Sequence, residues 1–265
     1  MLKTQIGRET RVHETAILDP AAKLGAGVSI GAYSIVGPDV EIGERTAVGP
    51  HVLIERDTVV GADCTLAKGA VLGTDPQDLK YHGEATSLVV GDRTVIREYA
   101  TLNRGTAARG ITEVGHDSLL MAYVHVAHDC VVGDHVVLSN AVNMAGHVII
   151  GDHAIVGGLT AIHQFVRIGE YAFIGGASRV PKDVPPYVKA AGNPMQLYGL
   201  NSVGLQRAGF SDDVRARLKR AYRIFFHSQL NVSQAVERVR DELPASPELD
   251  TFLAFVEESE RGILV

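Results

Sequence analysis

An aliphatic residue returns at every sixth position along most of this chain. The series starts Ile6, Val12, Leu18, Leu24, Ile30, Val36 and continues to Leu72. It resumes at Val90, Ile96 and Leu102, then runs unbroken from Val114 to Val180. Only Asp78, Glu84 and Ala108 interrupt the count, inside two stretches read as insertions near 74–88 and 105–112. A helix requires a period of 3.6 and an isolated strand a period of 2, so neither accounts for six. A glycine often follows the aliphatic residue, as at Gly25, Gly31, Gly43, Gly133 and Gly151. Four positions after the aliphatic stands a small or β-branched residue, as at Val28, Ser34, Thr46 and Cys64. Glycine beside Asp, Asn or Pro is read as turn chemistry, while Val, Ile and Thr favour strands. Short strand and turn, three times per coil, predict a mainly β chain wound as a triangular solenoid of hexapeptide repeats. Residue n then lies beside residue n+18 of the next coil. Roughly ten coils, each advancing ~4.8 Å, give a prism about 45–50 Å long.

So narrow an interior admits aliphatic side chains and excludes large rings. The composition agrees: glycine is 28 of 265 residues, aromatics are 6% and tryptophan is absent. The hexads stop at Pro185-Pro186, which predicts a β-helical domain over 1–190 and a C-terminal α-helical domain over 191–265. Asn193 before Pro194 reads as an N-cap ahead of a helix-starting proline, predicting a short helix with Leu197, Leu200 and Leu205. Ser211 caps a second helix whose apolar face is Val214, Leu218, Ala221, Tyr222 and Phe225. A third helix covers 232–243, and a fourth starts at Ser246-Pro247 and ends near Gly262. These helices are expected to pack on each other or to seal an open end of the solenoid.

Lys and Arg number 25 against 31 Asp and Glu, a net charge of −6. That balance argues against general nucleic-acid binding, since a phosphate backbone demands a positive footprint. No stretch of ~18 residues is predominantly apolar, so no membrane span is predicted. The start, Met1-Leu2-Lys3-Thr4-Gln5, has no apolar signal core, and the expected location is cytoplasmic. Cys64 and Cys130 form neither a disulfide framework nor a zinc spacing. Cys130 occupies the slot that Val, Ala or Thr fills elsewhere, which marks it as a packing residue.

Chemistry concentrates in His125, His128, Asp129, His147 and His163. The eighteen-residue step stacks His128 under Gly146 and, two coils on, Gln164, and places Asp129 under His147. The second insertion ends just before this region, so a loop can fold over it. A histidine is a general base near neutral pH, and a carboxylate beside it fixes its tautomer. An unshielded glycine N–H can donate to a developing oxyanion. The alternative is a set of solvated corner histidines, the reading given to His13, His51, His116, His135 and His153. A zinc site of His125, His128 and His147 is a third possibility, if the three converge at about 2.1 Å from one point.

The local motifs form an ordered set. Asp75-Pro76-Gln77-Asp78-Leu79-Lys80-Tyr81 is followed by Asn103-Arg104-Gly105-Thr106 and by His125-Val126-Ala127-His128-Asp129-Cys130. Ala145-Gly146-His147, Ala161-Ile162-His163-Gln164-Phe165, Asp183-Val184-Pro185-Pro186-Tyr187 and Asn201-Ser202-Val203-Gly204-Leu205 complete it. Together, and over essentially the whole length, they resemble the UDP-N-acetylglucosamine O-acyltransferases of lipid A biosynthesis. The resemblance implies a left-handed parallel β-helix of hexapeptide repeats with a C-terminal α-helical domain. It also implies a homotrimer that moves an (R)-3-hydroxyacyl chain from acyl carrier protein to the sugar 3-hydroxyl of UDP-N-acetylglucosamine. In that family's terms His128 matches the general base, Asp129 its orienting partner and Gly146 the oxyanion donor. Asp78, Lys80, His125, His147, His163 and Gln164 match residues lining the sugar-nucleotide and acyl site. Asn201 and Arg207 match tail residues that contact the nucleotide.

No metal or dissociable cofactor is implied, because phosphopantetheine arrives on the carrier protein. Asn103 stands close to the sugar in this comparison, where relatives often carry His, which leaves a 3-amino sugar open as the acceptor. The family's paired arginines are reduced to Arg207 followed by Ala208. An N-acyltransferase or a trimeric zinc carbonic anhydrase of the same fold are the alternatives; the former carries a uridine-binding domain before its repeats, and hexads here begin at Ile6. Gly157-Gly158 and Gly175-Gly176 stack one coil apart and are expected to open a shallow channel from the histidine cluster toward the C-terminal end. The position matching Gly176 ends the acyl pocket in the family. The basic run Arg207, Arg215, Arg217, Lys219, Arg220 and Arg223 is either a solvated helix face or a dock for an acidic carrier protein.

Overall fold

The structure, a computed structural model, describes residues 5–264; Met1–Thr4, read above for a signal core, lie outside the described residues. Strands mostly two residues long alternate with four-residue turns and wind into a three-sided prism. Sheet A has nine strands, from Gln5–Ile6 to Arg167–Ile168, and sheet C has nine, from Ile17–Leu18 to Arg179–Val180. Sheet B has eleven, from Arg11–Val12 to Phe173–Ile174 and then Val188–Gly192 and Met195–Leu200. Every pairing is parallel except the last, which is antiparallel. The register is the expected eighteen residues: Leu24 pairs with Ile42 and Val132 with Ile150. Across the first insertion Val60 pairs with Val90, and across the second Val90 pairs with Val114. Those steps of 30 and 24 exceed 18 by 12 and 6, so both insertions are whole hexads and leave the inward phase intact.

Each hexad sends two side chains toward the axis. Leu102, Leu120, Leu138 and Met144 are buried from the strands, and Val124, Cys130, Val136 and Val142 from the turns. Both cysteines are free and buried, as their packing slot predicts. The turn chemistry differs from expectation. The left-handed residue is the third after the inward aliphatic, and it is seldom glycine: φ is +60° at Asp129, +61° at His147 and +63° at Phe165. The glycine directly after the aliphatic answers a different demand. A Cβ on Gly31 would lie 2.6 Å from the carbonyl carbon of Gly49, so glycine there lets adjacent coils approach.

The predicted helix after Pro194 is absent. Asn193-Pro194 instead turns a hairpin, and Met195–Leu200 pairs back on Val188–Gly192. Met195 and Leu197 face inward more than Gln196 and Tyr198, a two-residue period that outweighs the capping signal. The first helix, α1 (Ser202–Arg207), starts only after Asn201. The next three appear where predicted: α2 (Asp212–His227), α3 (Val232–Glu242) and α4 (Pro247–Glu257), capped by Ser211, Asn231 and Ser246. They pack on one another, with Phe225 against Phe252 at 5.2 Å between ring centroids, and on the last coils, where Arg167 lies 4.8 Å over the Phe255 ring.

α4 stops five residues short of Gly262, because the tail turns back to the prism. Asp183, buried, holds it there. The Asp183 N–H donates to the Gly262 carbonyl at 3.1 Å, and the Leu264 N–H to the Asp183 carbonyl at 2.9 Å. The Ser259 hydroxyl donates to Asp183 Oδ2 at 2.7 Å.

Leu102 has no exposed surface. Leu102→Ala is expected to destabilise the chain by about 2–5 kcal/mol, the cost of a cavity that a regular coil cannot collapse around. The half-exposed Ile35→Ala is expected to cost less than about 1 kcal/mol. Urea denaturation of the two variants checks the difference.

Candidate active site

Both insertions leave the prism at the edge where sheet C turns into sheet A. The first joins Val71–Thr74 to Ser87–Val90, and the second joins Thr101–Asn103 to Ile111–Val114. The histidine cluster occupies the same edge, one coil further on. His128 and Asp129 lie between His125–Val126 and Val131–Val132, and His147 lies one coil above. Two columns result, His128 with Gly146 and Gln164, and Asp129 with His147 and Phe165. Backbone bonds bind the coils, from the His147 N–H to the His128 carbonyl at 3.1 Å and from the Phe165 N–H to the Gly146 carbonyl at 3.2 Å.

The His–Asp pair is formed. His128 Nδ1 lies 2.8 Å from Asp129 Oδ2, and His147 Nε2 lies 3.7 Å from the same oxygen. Asp129 has no exposed side-chain surface, whereas His128 keeps 12%, so the imidazole is the partner open to the surface. Since Asp129 accepts at Nδ1–H, Nε2 is the free nitrogen. The Gly146 N–H meets no acceptor among the described residues. A Cβ on Gly146 would lie 2.5 Å from His128 Cε1 and 2.7 Å from Nε2. Only glycine, therefore, fits directly over this ring.

Sequence reasoning missed what holds the carboxylate. Thr106, in the second insertion, donates its hydroxyl to Asp129 Oδ2 at 2.7 Å and its N–H to Oδ1 at 2.9 Å. Thr112 Oγ1 accepts the Asp129 N–H at 2.8 Å, which supports the left-handed backbone there. Burial pushes the Asp129 carboxyl up, but the hydrogen bonds from Thr106 and His128 outweigh it and hold the group below its ordinary range. Burial also lowers His125 and His147, with His128 acting in the same direction and Asp129 opposing at His147. Thr106 stands in a motif visible in the sequence, but an irregular loop gives no period from which its target could be read.

The insertions are tied to each other by residues 103 and 104. Arg104, 1% exposed, donates to the Gly73 carbonyl, to Asp75 and, at 3.1 Å, to the Tyr81 hydroxyl. Asn103 is buried too, its amide committed to Thr74 Oγ1 and the Asp75 carbonyl at 2.8 Å each. Asn103 therefore acts here as a clamp on the first insertion rather than as an exposed group beside a sugar. Asp78 and Lys80 lie on that clamped loop, where Asp78 is close enough to favour the His147 cation.

The other expected site residues divide between this edge and the other two. His125 turns its Nδ1 to Thr101 Oγ1 at 2.7 Å, and among the described residues the three-histidine zinc set does not converge. The group that does converge is His128, Asp129 and His147, with ligand atoms within 4.8 Å of one another. Its donors are already engaged, Asp129 by Thr106 and His128, and His128 Nδ1 by Asp129, so this set suits an acid–base pair better than a metal. Cys130, with its thiol pushed up to about 12 by burial and its Sγ on the Ala145 carbonyl, is no nucleophile.

Gly158 and Gly176 lie at the edge between sheets B and C, so on one chain they share no edge with His128 and His147. Gly157 is packed against the next coil, since a Cβ there would reach 2.4 Å from the Gly176 nitrogen. Asn201 caps α1 and donates to the Tyr171 carbonyl at 3.0 Å, on the third edge. It lines a cavity of about 520 Å³ with Arg207, Lys189 and Tyr198. His135, His153 and Tyr171 stack along that same edge, 4.6 and 4.5 Å apart, which bears out the corner reading of the first two.

Fold and site together define an acyltransferase of the hexapeptide-repeat class. A family model described as bacterial transferase hexapeptide (six repeats) matches residues 21–56, and the second domain of UDP N-acetylglucosamine O-acyltransferase matches residues 183–264. An acyl-[acyl-carrier-protein]–UDP-N-acetylglucosamine O-acyltransferase of Chlorobium phaeobacteroides is 61% identical over 252 residues, covering 95% of this chain and 96% of that protein. The enzyme of the same name from Thermodesulfovibrio yellowstonii is 47% identical over 253 residues, covering 95% and 98%. The crystal structure of LpxA from Acinetobacter baumannii superposes with a TM-score of 0.94 at 45% identity, covering 96% of this chain and 99% of that one. The chain belongs to the acyl-[acyl-carrier-protein]–UDP-N-acetylglucosamine O-acyltransferase family, the enzymes of the first step of lipid A biosynthesis.

Thr106→Val removes the 2.7 Å hydroxyl donor and is expected to raise the Asp129 titration. The stability that the depressed carboxyl contributes is present above its unfolded value of about 3.9 and lost as pH falls through the lower folded value. Carbon-13 NMR of the labelled carboxyl reads the shift, and an unchanged midpoint would assign the whole effect to His128 and the backbone.

Proposed function

We propose that this chain transfers an (R)-3-hydroxyacyl group from acyl carrier protein to the 3-hydroxyl of UDP-N-acetylglucosamine. The observation that carries this reading is the His128–Asp129 pair stacked under Gly146, in a chain of this family. His128 Nε2 takes the proton of the sugar hydroxyl as its oxygen attacks the thioester carbonyl carbon. The oxyanion that forms accepts from the Gly146 N–H. Collapse breaks the carbon–sulfur bond, and the departing phosphopantetheine thiolate takes the proton back from His128. Asp129 keeps Nδ1–H in place and stabilises the transient imidazolium without being protonated itself. The chemistry requires no metal and no resident cofactor.

Asp78, Lys80, His125, His147, His163 and Gln164 are assigned to the sugar and the thioester end of the donor, because all lie on or beside the sheet C–A edge. Asn201 and Arg207 are assigned to the nucleotide, and Gly158 and Gly176 to the far end of the acyl chain. These assignments require more than one copy. The three groups occupy three different edges of one prism, and the sugar nucleotide and the acyl donor each span two of them only where edges of neighbouring copies meet. A cyclic homotrimer supplies three such clefts. Exposed apolar side chains support it, with Leu79 wholly exposed at the first insertion and Leu159 and Tyr123 prominent on the sheet B–C edge. An active monomer in sedimentation would end this reading.

The carrier protein is assigned to the exposed cations of α2. Lys219, Arg220 and Arg223 are open, while Arg215 is engaged by Asp212 and Arg220 only loosely by Glu242 at 3.8 Å. An acidic carrier is steered to such a patch, and its binding weakens with salt.

His128→Ala is expected to lower turnover at least ~10²-fold with the fold intact, the usual contribution of a general base. Mass spectrometry of product from (R)-3-hydroxyacyl carrier proteins and UDP-N-acetylglucosamine checks it, and near wild-type turnover would refute the assignment. With glycine at 176, donors of about fourteen carbons are expected to be preferred to ten, each buried CH₂ contributing about 0.8 kcal/mol. Gly176→Met is expected to shift the preference to shorter donors, and an unmoved length profile would place the pocket end elsewhere.

A further inference from the structure

The C-terminal tail reaches the catalytic edge through one side chain. Arg261 donates from its Nε to the Pro181 carbonyl at 3.0 Å and from a terminal nitrogen to His163 Nδ1 at 2.8 Å. It also lines the cavity of about 650 Å³ that Asp129, His147 and Phe165 border. A guanidinium has donors only and stays protonated, so His163 Nδ1 must be the acceptor in this pair. That excludes a proton on Nδ1, and with it donation to the Gln164 carbonyl 3.2 Å away. The proton of a neutral His163 then sits on Nε2.

We propose that Arg261 is a positioning residue that holds His163 as the Nε2–H tautomer, so that His163 offers an N–H donor, not an acceptor, to the substrate. The proposal rests on the acyltransferase reading only for its kinetic part. His163 sits on the edge that binds the acceptor sugar and the thioester, where the groups to be recognised include carbonyl oxygens, which a donor suits. Without Arg261 the two tautomers of His163 are no longer separated by this contact, and the Gln164 carbonyl competes for a proton on Nδ1.

The tail does not need Arg261 to stay in place. Asp183 holds it independently through Ser259, Gly262 and Leu264. Removing the Arg261 side chain thus separates a positioning role from a strap.

The test compares wild type, Arg261→Ala, Arg261→Lys, His163→Ala and the double variant Arg261→Ala/His163→Ala as full chains, after thermal unfolding shows that each is folded. In ¹⁵N-histidine-labelled protein, long-range ¹H–¹⁵N correlation is expected to show His163 protonated on Nε2 in wild type and Arg261→Lys, and a mixture of tautomers in Arg261→Ala. This readout needs no substrate, so it stands or falls apart from the proposed reaction. In the transfer assay Arg261→Ala is expected to lose about tenfold in kcat/KM, and the double variant to be no worse than His163→Ala, because both changes remove one function. A His163 tautomer unmoved in Arg261→Ala would overturn the proposal, and so would losses that multiply in the double variant.

Discussion

The structure depends on the hydrogen-bonded register of one coil on the next. Up to the last coil, where Phe173 pairs with Lys189 at sixteen, every turn of the prism repeats the one below at a fixed offset of eighteen residues, save where two insertions add whole hexads. A fixed offset makes columns of side chains, and columns are how residues distant in sequence become neighbours. The inward columns exclude water with aliphatic groups. The outward columns at the edges carry rings and charges, such as the bidentate pair of Arg45 with Asp63 at 2.7 Å and the stack of His147 on Phe165 at 4.5 Å. Chemistry at the sheet C–A edge is a local variation of this ladder, in which glycine replaces a side chain above a histidine.

The variation works because one carboxylate is both buried and ionised. Burial alone would push the Asp129 proton back on. Donors from Thr106 and from His128 prevent this, and most of them come from a loop rather than from the regular coil. The second insertion is thus a part of the acid–base pair. Arg104 and Asn103, at its root, extend the same arrangement to the first insertion, so the loop bearing Asp78 and Lys80 is positioned by the segment that fixes the carboxylate. These are two elements held by one short stretch, Asn103 to Thr106.

The helical region continues this arrangement at the other end. Its helices pack on one another and on the last coils, and its tail returns to the prism at a buried aspartate, Asp183. Strands continue to Leu200 before the helices begin, so the transition is a hairpin added to sheet B. Asn201, which ends that hairpin, caps α1 and bonds Tyr171 at once, which ties the cavity it lines to the last coil.

Much of this was legible in the chain itself. The hexad count predicts the core, the register and the stacking of His128 under Gly146, because a repeat with constant spacing converts sequence distance directly into spatial distance. Helix caps at Ser211 and Ser246 were equally legible, being local chemistry. What was not legible lies where periodicity lapses. The role of Thr106 is set by the path of an irregular loop, the strand at Met195–Leu200 by pairing that overrides a local capping signal, and the contact of Arg261 with His163 by a tail that returns across 98 residues. The repeat glycines carry the signature of turn formers, yet coil-to-coil approach is what demands them. The sequence by itself determined the prism and the columns on its edges, since these follow from local spacing. Tertiary structure alone decided the state of the His128–Asp129 pair, because burial and the donors that offset it come from segments with no fixed spacing to that edge.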